Sequence, residues 1–361
     1  MKRALFVLVL AIALFFATGM GVCAEDGATY EILEEFDSII PESSGVSRDK
    51  KLESYIGIPA LIREISAAVN GEGSRYALFF TMAFGFAVII SVSEATVTCG
   101  DSSLSVTSSA ALSALLSATL FTSLREAFFE VRGGLEDVVG FFSELLPIIT
   151  ALNVSAGAVE STAVQATGIG ITLAILGKIS VEILLPMAFA LFILSFSASV
   201  TGSSQGVANG VRGFFMWGIG IVSTVLAASL AIQSLVASAA DSAAIRAARY
   251  AASGMIPIVG TSVSSALSTL SGGLAFVRST VGAGAIAVIL SLSLAPLVSL
   301  LIYRFAISFC IFFLESSGTS GGVRSFSAFR ASLDGVIAVY SMSILVCIIE
   351  LVVFIKGGAV A

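Results

Sequence analysis

Lys178 and Glu182 are the charges set most conspicuously inside an apolar run, and a four-residue spacing brings them to one face of a helix, where they can neutralise each other. An intramembrane pair of this kind either satisfies itself near a helix end or forms part of an ion or proton path. Arg304 and Glu350 are each close enough to the end of an apolar segment to snorkel to the interface. Other chemistry is thinly provided for. The chain has no histidine, so the usual general base and the commonest metal ligand are both missing. It has no glycine-rich loop leading to Lys and Ser or Thr, which excludes nucleotide hydrolysis by that route. Serines are abundant but lack a nucleophile-elbow spacing, and intramembrane serines ordinarily bond a neighbouring helix. Cys23, Cys99, Cys310 and Cys347 show no paired spacing and read as small core hydrophobes. No enzyme activity and no cofactor is expected.

A second constellation is conformational. Pro257 lacks a backbone donor, and Gly254 and Gly260 relax the chain on either side, so a continuous membrane helix is not expected there. Ser262, Ser265, Ser268 and Thr269 follow as a hydroxyl-rich face suited to a cavity or an intersubunit seam. Pro147 stands in a similar apolar setting, Leu-Leu-Pro-Ile-Ile against Met-Ile-Pro-Ile-Val around Pro257. The stretches 141–175 and 251–284 are therefore predicted to be proline-broken segments, re-entrant or interfacial.

These segments need a scaffold, and composition says what kind. Apolar residues make up 57% of the chain and charged ones 12%, in long blocks rather than in alternation, which describes an all-α polytopic membrane protein. About six spans are expected, at Tyr76–Glu94, Leu104–Leu124, Ser180–Ser199, Phe214–Ser238, Ala285–Phe309 and Gly335–Ile355. Gly218, Gly220, Ala227, Ala228 and Ala231, and again Gly282, Gly284, Ala285 and Ala287, allow close helix contact within the chain or between copies.

Residues 1–24 read as an export signal: Lys2 and Arg3, an apolar stretch from Leu5 to Phe16, then Val22 and Ala24 before Glu25. Residues 25–75 then lie outside the cytoplasm as an acidic segment, with eleven acidic and five basic side chains. Its apolar positions Ile32, Phe36, Ile39 and Ile40, and later Leu52, Ile56, Leu61 and Ile65, fall at helical spacing, as for amphipathic helices lying on the membrane or a partner. Nothing is basic enough to suggest nucleic acid. Residues 76–361 form the membrane domain.

The prolines also suggest duplication. Pro147 and Pro186 are 39 residues apart, as are Pro257 and Pro296, and the two pairs are offset by 110. An internal repeat of about that length must cross the membrane an even number of times per copy if the copies are to superimpose without inversion. That requirement, with an outside N-terminus, puts both proline-broken segments and the C-terminus outside. Arg125, Arg132, Arg246 and Arg249 then fall outside as well, against the positive-inside tendency.

Residues 141–152, Phe-Phe-Ser-Glu-Leu-Leu-Pro-Ile-Ile-Thr-Ala-Leu, and Arg249-Tyr-Ala-Ala-Ser-Gly-Met-Ile-Pro-Ile-Val-Gly260, continuing through Ser264-Ser265-Ala266-Leu267 to Arg278-Ser-Thr-Val-Gly282, resemble the stage III sporulation protein AE family. The likeness extends to the layout of signal, acidic exterior segment and polytopic remainder. It implies a subunit of a secretion-like channel complex joining mother cell and forespore. The implied place is the mother-cell membrane surrounding the forespore. The implied partners are the other stage III sporulation operon membrane proteins and a cytoplasmic ATPase, and the implied role is late forespore gene expression. No catalytic residue comes with the resemblance. On the residues alone, a secondary transporter or a membrane scaffold without transport activity remains open beside the channel subunit.

Overall fold

The computed structural model describes residues 71–97, 102–155, 159–201, 212–229 and 260–357, with scattered positions between 36 and 41, between 63 and 70, and at 210 and 231. The segments are helical throughout and, among the described residues, no strand occurs. Helix α1 is Gly73–Val97, α2 Ser102–Ser155 and α3 Val159–Ile175. A π-wound stretch, Leu176–Leu184, continues α3 into α4, Leu185–Thr201, so the three form one rod. The remaining helices are α5, Arg212–Ser229, α6, Gly260–Ser316, and α7, Ser320–Gly357. Six stretches are long and apolar enough to cross a membrane, in α1, α2, the rod, α5, α6 and α7. The predicted all-helical class is what the chain adopts, with six helices long and apolar enough to cross a membrane.

Each helix is held by an apolar stripe at helical spacing. On α2 the buried residues run Leu124, Ala127, Val131, Leu135, Val138, Phe142, Leu145, Ile149 and Leu152. On the rod the buried positions step through Ile169, Leu173 and Leu176, then Ser180, Leu184 and Ala188. Through the π turn the buried positions recur every four residues, at Leu176, Ser180 and Leu184, and the looser winding keeps one face turned inward. Its last bond runs from the Leu185 N–H to the Ser180 carbonyl, next to Pro186, which has no N–H to offer. Helix α7 is central, packing on α6, α4, α2, α3 and α1.

The rod lies antiparallel to α7, as three bonds show. Thr172 Oγ1 donates to Glu350 Oε1 at 2.7 Å, Ser343 Oγ lies 3.3 Å from Ser180 Oγ, and Ser332 Oγ donates to the Ala188 carbonyl at 3.0 Å. Helices α6 and α7 form a hairpin with almost no loop. Gly318 adopts φ 73°, the left-handed conformation that closes a helix; the Thr319 N–H reaches the Leu314 carbonyl at 3.1 Å and the Gly318 N–H that of Glu315 at 3.1 Å. Glu94 of α1 then accepts the Gly321 N–H at 3.1 Å, placing a carboxylate at the positive end of α7.

The proline-broken reading needs correcting at Pro147. The residue lies inside α2, with helix on both sides and its ring on the exposed face. Losing one backbone bond costs about 3 kcal/mol or more in an isolated helix. Here Leu145, Ile148, Ile149 and Leu152 bury the opposite face and hold the helix through it. The rod then runs back along α2, with Gly177 facing Val139. In the second segment Gly260 opens α6, which runs unbroken through Ser265 and Gly282. Gly254 and Pro257 lie outside the described residues, and with them the comparison of Pro147 to Pro257 on which the repeat rests. Residues 1–24 and most of 25–75 lie outside as well. Of the amphipathic positions, Phe36 and Ile40 are buried in the common apolar core, and Ile65 is exposed.

Candidate functional site

The polar residues that the fold gathers form a belt around the bundle's waist. Arg75, near the start of α1, meets Glu130 and, at 3.2 Å, Glu126 of α2, with Glu72 at 3.5 Å. Arg132 bonds Glu136 one turn on, at 2.8 Å. Arg304 of α6 pairs with Asp334 of α7 at 2.5 Å. Tyr76 shares a 2.6 Å hydrogen bond with Ser299, and the Tyr303 ring packs edge-on against Tyr76 and Phe79. At the same level Gly134 of α2 lets Pro296 and the Tyr340 hydroxyl approach so closely that a Cβ there would stand 2.9 Å from each. Tyr340 donates to the Ser293 carbonyl at 3.3 Å.

Two apolar tiers flank the belt. On one side lie residues 77–93 of α1 and 305–314 of α6, without a charge. On the other lie 138–155 of α2 with Glu144 alone, 161–177 of the rod and 280–303 of α6 without a charge, and 335–355 of α7 with Glu350 alone. At a rise of 1.5 Å per residue the stretch from Thr280 to Ser316 is about 55 Å long, against a hydrocarbon thickness of about 30 Å. The 21 residues from Gly335 to Ile355 match one bilayer by themselves. The side chains of Glu126, Arg132 and Glu136 are 64%, 50% and 52% exposed, which suits a water or headgroup level and not a bilayer centre. Trp217, 64% exposed, and Phe214 lie on α5 beside Phe215, which packs on Gly335 at this level, as interfacial aromatics do.

Lys178 and Glu182 both sit on the π turn and both are exposed. They form no ion pair with each other. Glu182 instead lies within electrostatic range of Arg132 across the α2–rod contact, an opposite charge that linear spacing does not reveal. Glu350 does not snorkel. It is 2% exposed and takes its bond from Thr172, within a buried polar seam that includes Asn153, Thr162 and Gln165. Arg304 likewise turns inward, to Asp334. Cys310 and Cys347 are buried, free thiols. Among the described residues no cluster of acidic or cysteine side chains is arranged to hold a metal.

Sequence reasoning missed the belt because its pairs join positions far apart in the chain: Arg75 with Glu130, and Arg304 with Asp334. The available signal was the run 125–137, too charged for a span yet with Phe128, Val131 and Leu135 at helical spacing. The Arg304–Asp334 pair carries a prediction. Arg304→Asp strands like charges in a half-buried place and should lower the stability of the purified protein by about 2 kcal/mol. The exchange Arg304→Asp with Asp334→Arg should restore most of it, as thermal unfolding in detergent would show.

Long apolar helices around a buried core define a multi-pass, all-helical membrane protein. The family model for stage III sporulation protein AE matches residues 54–358, and the chain belongs to that family, whose role is in sporulation. It is 20% identical over 336 residues to stage III sporulation protein AE of Bacillus subtilis (strain 168), a match covering 91% of this chain and 84% of that protein. No solved structure matches the chain.

Proposed function

We propose that this protein is the membrane subunit of a sporulation-specific, secretion-like channel complex between mother cell and forespore, resident in the mother-cell membrane surrounding the forespore. The other membrane proteins of the stage III operon and a cytoplasmic ATPase are its partners, and late forespore gene expression depends on it. The subunit itself performs no catalysis.

One observation carries the reading: the apolar stack is too tall for a single bilayer. With the 335–355 tier in lipid and the belt at headgroup level, the other tier stands clear of the hydrocarbon. That tier nevertheless shows an apolar stripe. Phe305, Phe309 and Phe312 on α6 are 70%, 42% and 67% exposed, and Leu78, Met82, Ile89 and Val92 on α1 continue it at helical spacing. Apolar surface of this kind outside lipid is stable only when protein covers it.

Phe305→Glu with Phe312→Glu should leave accumulation in the membrane unchanged while co-purification of the other operon products and late forespore gene expression are lost. Unchanged co-purification and normal spore formation would remove the reading. The transporter alternative draws on Glu350, a carboxylate buried in the lipid tier. Loss of function in Glu350→Gln at normal protein level, with partners still bound, would favour it.

A further inference from the structure

We propose that the groove between α2 and the rod, beside Pro186, binds an anionic phospholipid. The groove encloses about 210 Å³. Arg125 and Arg132 stand at its edge, seven residues apart on one face of α2, so about 10 Å along the helix. Between and opposite them the lining is apolar: Phe128 and Phe129 from α2, and Leu185, Pro186 and Phe189 from α4.

The two cations are differently placed. Arg125 has no carboxylate partner among the described residues; its guanidinium lies over the Phe129 ring, 5.3 Å from the centroid. Arg132 spends its Nε on Glu136 and has Glu182 within electrostatic range, so Arg125 carries the uncompensated charge. A guanidinium held by a ring, with its nitrogens uncommitted, suits the bidentate geometry of a phosphate. The aromatic and proline lining below suits the upper methylenes of an acyl chain. A soluble anion would leave that lining wet, whereas a lipid satisfies both halves of the groove. The belt lies at the edge of an apolar tier of bilayer thickness, where headgroup phosphates are found.

The groove has a built-in position for a reporter. In full-length protein carrying Trp217→Phe and Phe129→Trp, the introduced indole is the only one in the chain. The protein is placed in nanodiscs containing acyl-brominated phosphatidylglycerol or, at equal mole fraction, acyl-brominated phosphatidylcholine, and the indole fluorescence is measured. Quenching should show about a fivefold preference for the glycerol headgroup, in keeping with the attraction of interfacial arginines to anionic lipid. Adding Arg125→Gln and Arg132→Gln should abolish the preference, and Arg125→Lys should reduce it. Circular dichroism establishes that each variant is folded, and Arg125→Gln alone stands in for the double change if that one is not. Equal quenching by the two lipids would reduce the groove to ordinary lipid contact and overturn the proposal. So would a preference that survives loss of both arginines. Relief of quenching by inorganic phosphate would show that the arginines hold a bare anion and would overturn it too.

Discussion

Gly134→Leu is expected to prevent the bundle from closing. The added Cβ alone would stand 2.9 Å from Pro296 Cγ and 2.9 Å from the Tyr340 hydroxyl, and the Leu292 carbonyl is 3.7 Å away. Pro296 belongs to a ring fixed in α6 and cannot rotate aside, so three further carbons must push α2 off both α6 and α7. Overpacking by a few methylenes costs about 1–3 kcal/mol, and here the contact that gives way joins three helices through the charged belt. We expect the leucine variant to be degraded or to unfold at least 10 °C below the parent in detergent. Gly134→Ala should be milder, and combining it with Tyr340→Phe, which removes one of the two opposing atoms, should recover part of the loss. Parental melting of the leucine variant would show that the helices are farther apart than described.

Glu350 is the other place where a large effect is expected. Its side chain is 2% exposed and takes a 2.7 Å bond from Thr172. Glu350→Lys puts an ammonium opposite a hydroxyl in the same dry seam, and the folded protein should fall to a few per cent of the parental level in membranes. Thr172→Val removes a bond from a buried carboxyl group and should cost about 1–3 kcal/mol. Glu350→Gln keeps shape and bonding capacity. It should accumulate and melt as the parent does if the carboxyl group serves packing alone. Thermal unfolding of the three variants orders them; a glutamine variant less stable than the lysine variant would contradict the geometry.

These two positions also show where sequence was readable. The apolar blocks from Tyr76, Ala285 and Gly335 are legible as long apolar helices because nearly every residue of them lacks a charge. Gly282 was legible as a small-residue contact, and it does meet another helix, at Ile355. Glu350 was misread because its distance from a segment end is a one-dimensional fact, while its burial depends on the rod lying antiparallel across it. Pro147 was misread for a related reason: its intrinsic cost is local, but the stripe of Leu145, Ile148, Ile149 and Leu152 that offsets it takes effect only once α6 and α7 are in place. The Arg75–Glu130 and Arg304–Asp334 pairs are products of tertiary packing, and no spacing rule reaches them. The motif around Gly254 and Pro257 lies outside the described residues.

The closure at Gly318 fixes more than the end of α6. Only Ser317, Gly318 and Thr319 separate α6 from α7, and Gly282, 22 residues into α6, lies against Ile355 near the far end of α7. Gly282 and Ile355 therefore lie on the same side of any surface that cuts both helices between that contact and Gly318. A reporter enzyme fused after Ala361 therefore reads the compartment of the Gly282 level of α6 as well as its own, so one fusion locates two helices of the molecule.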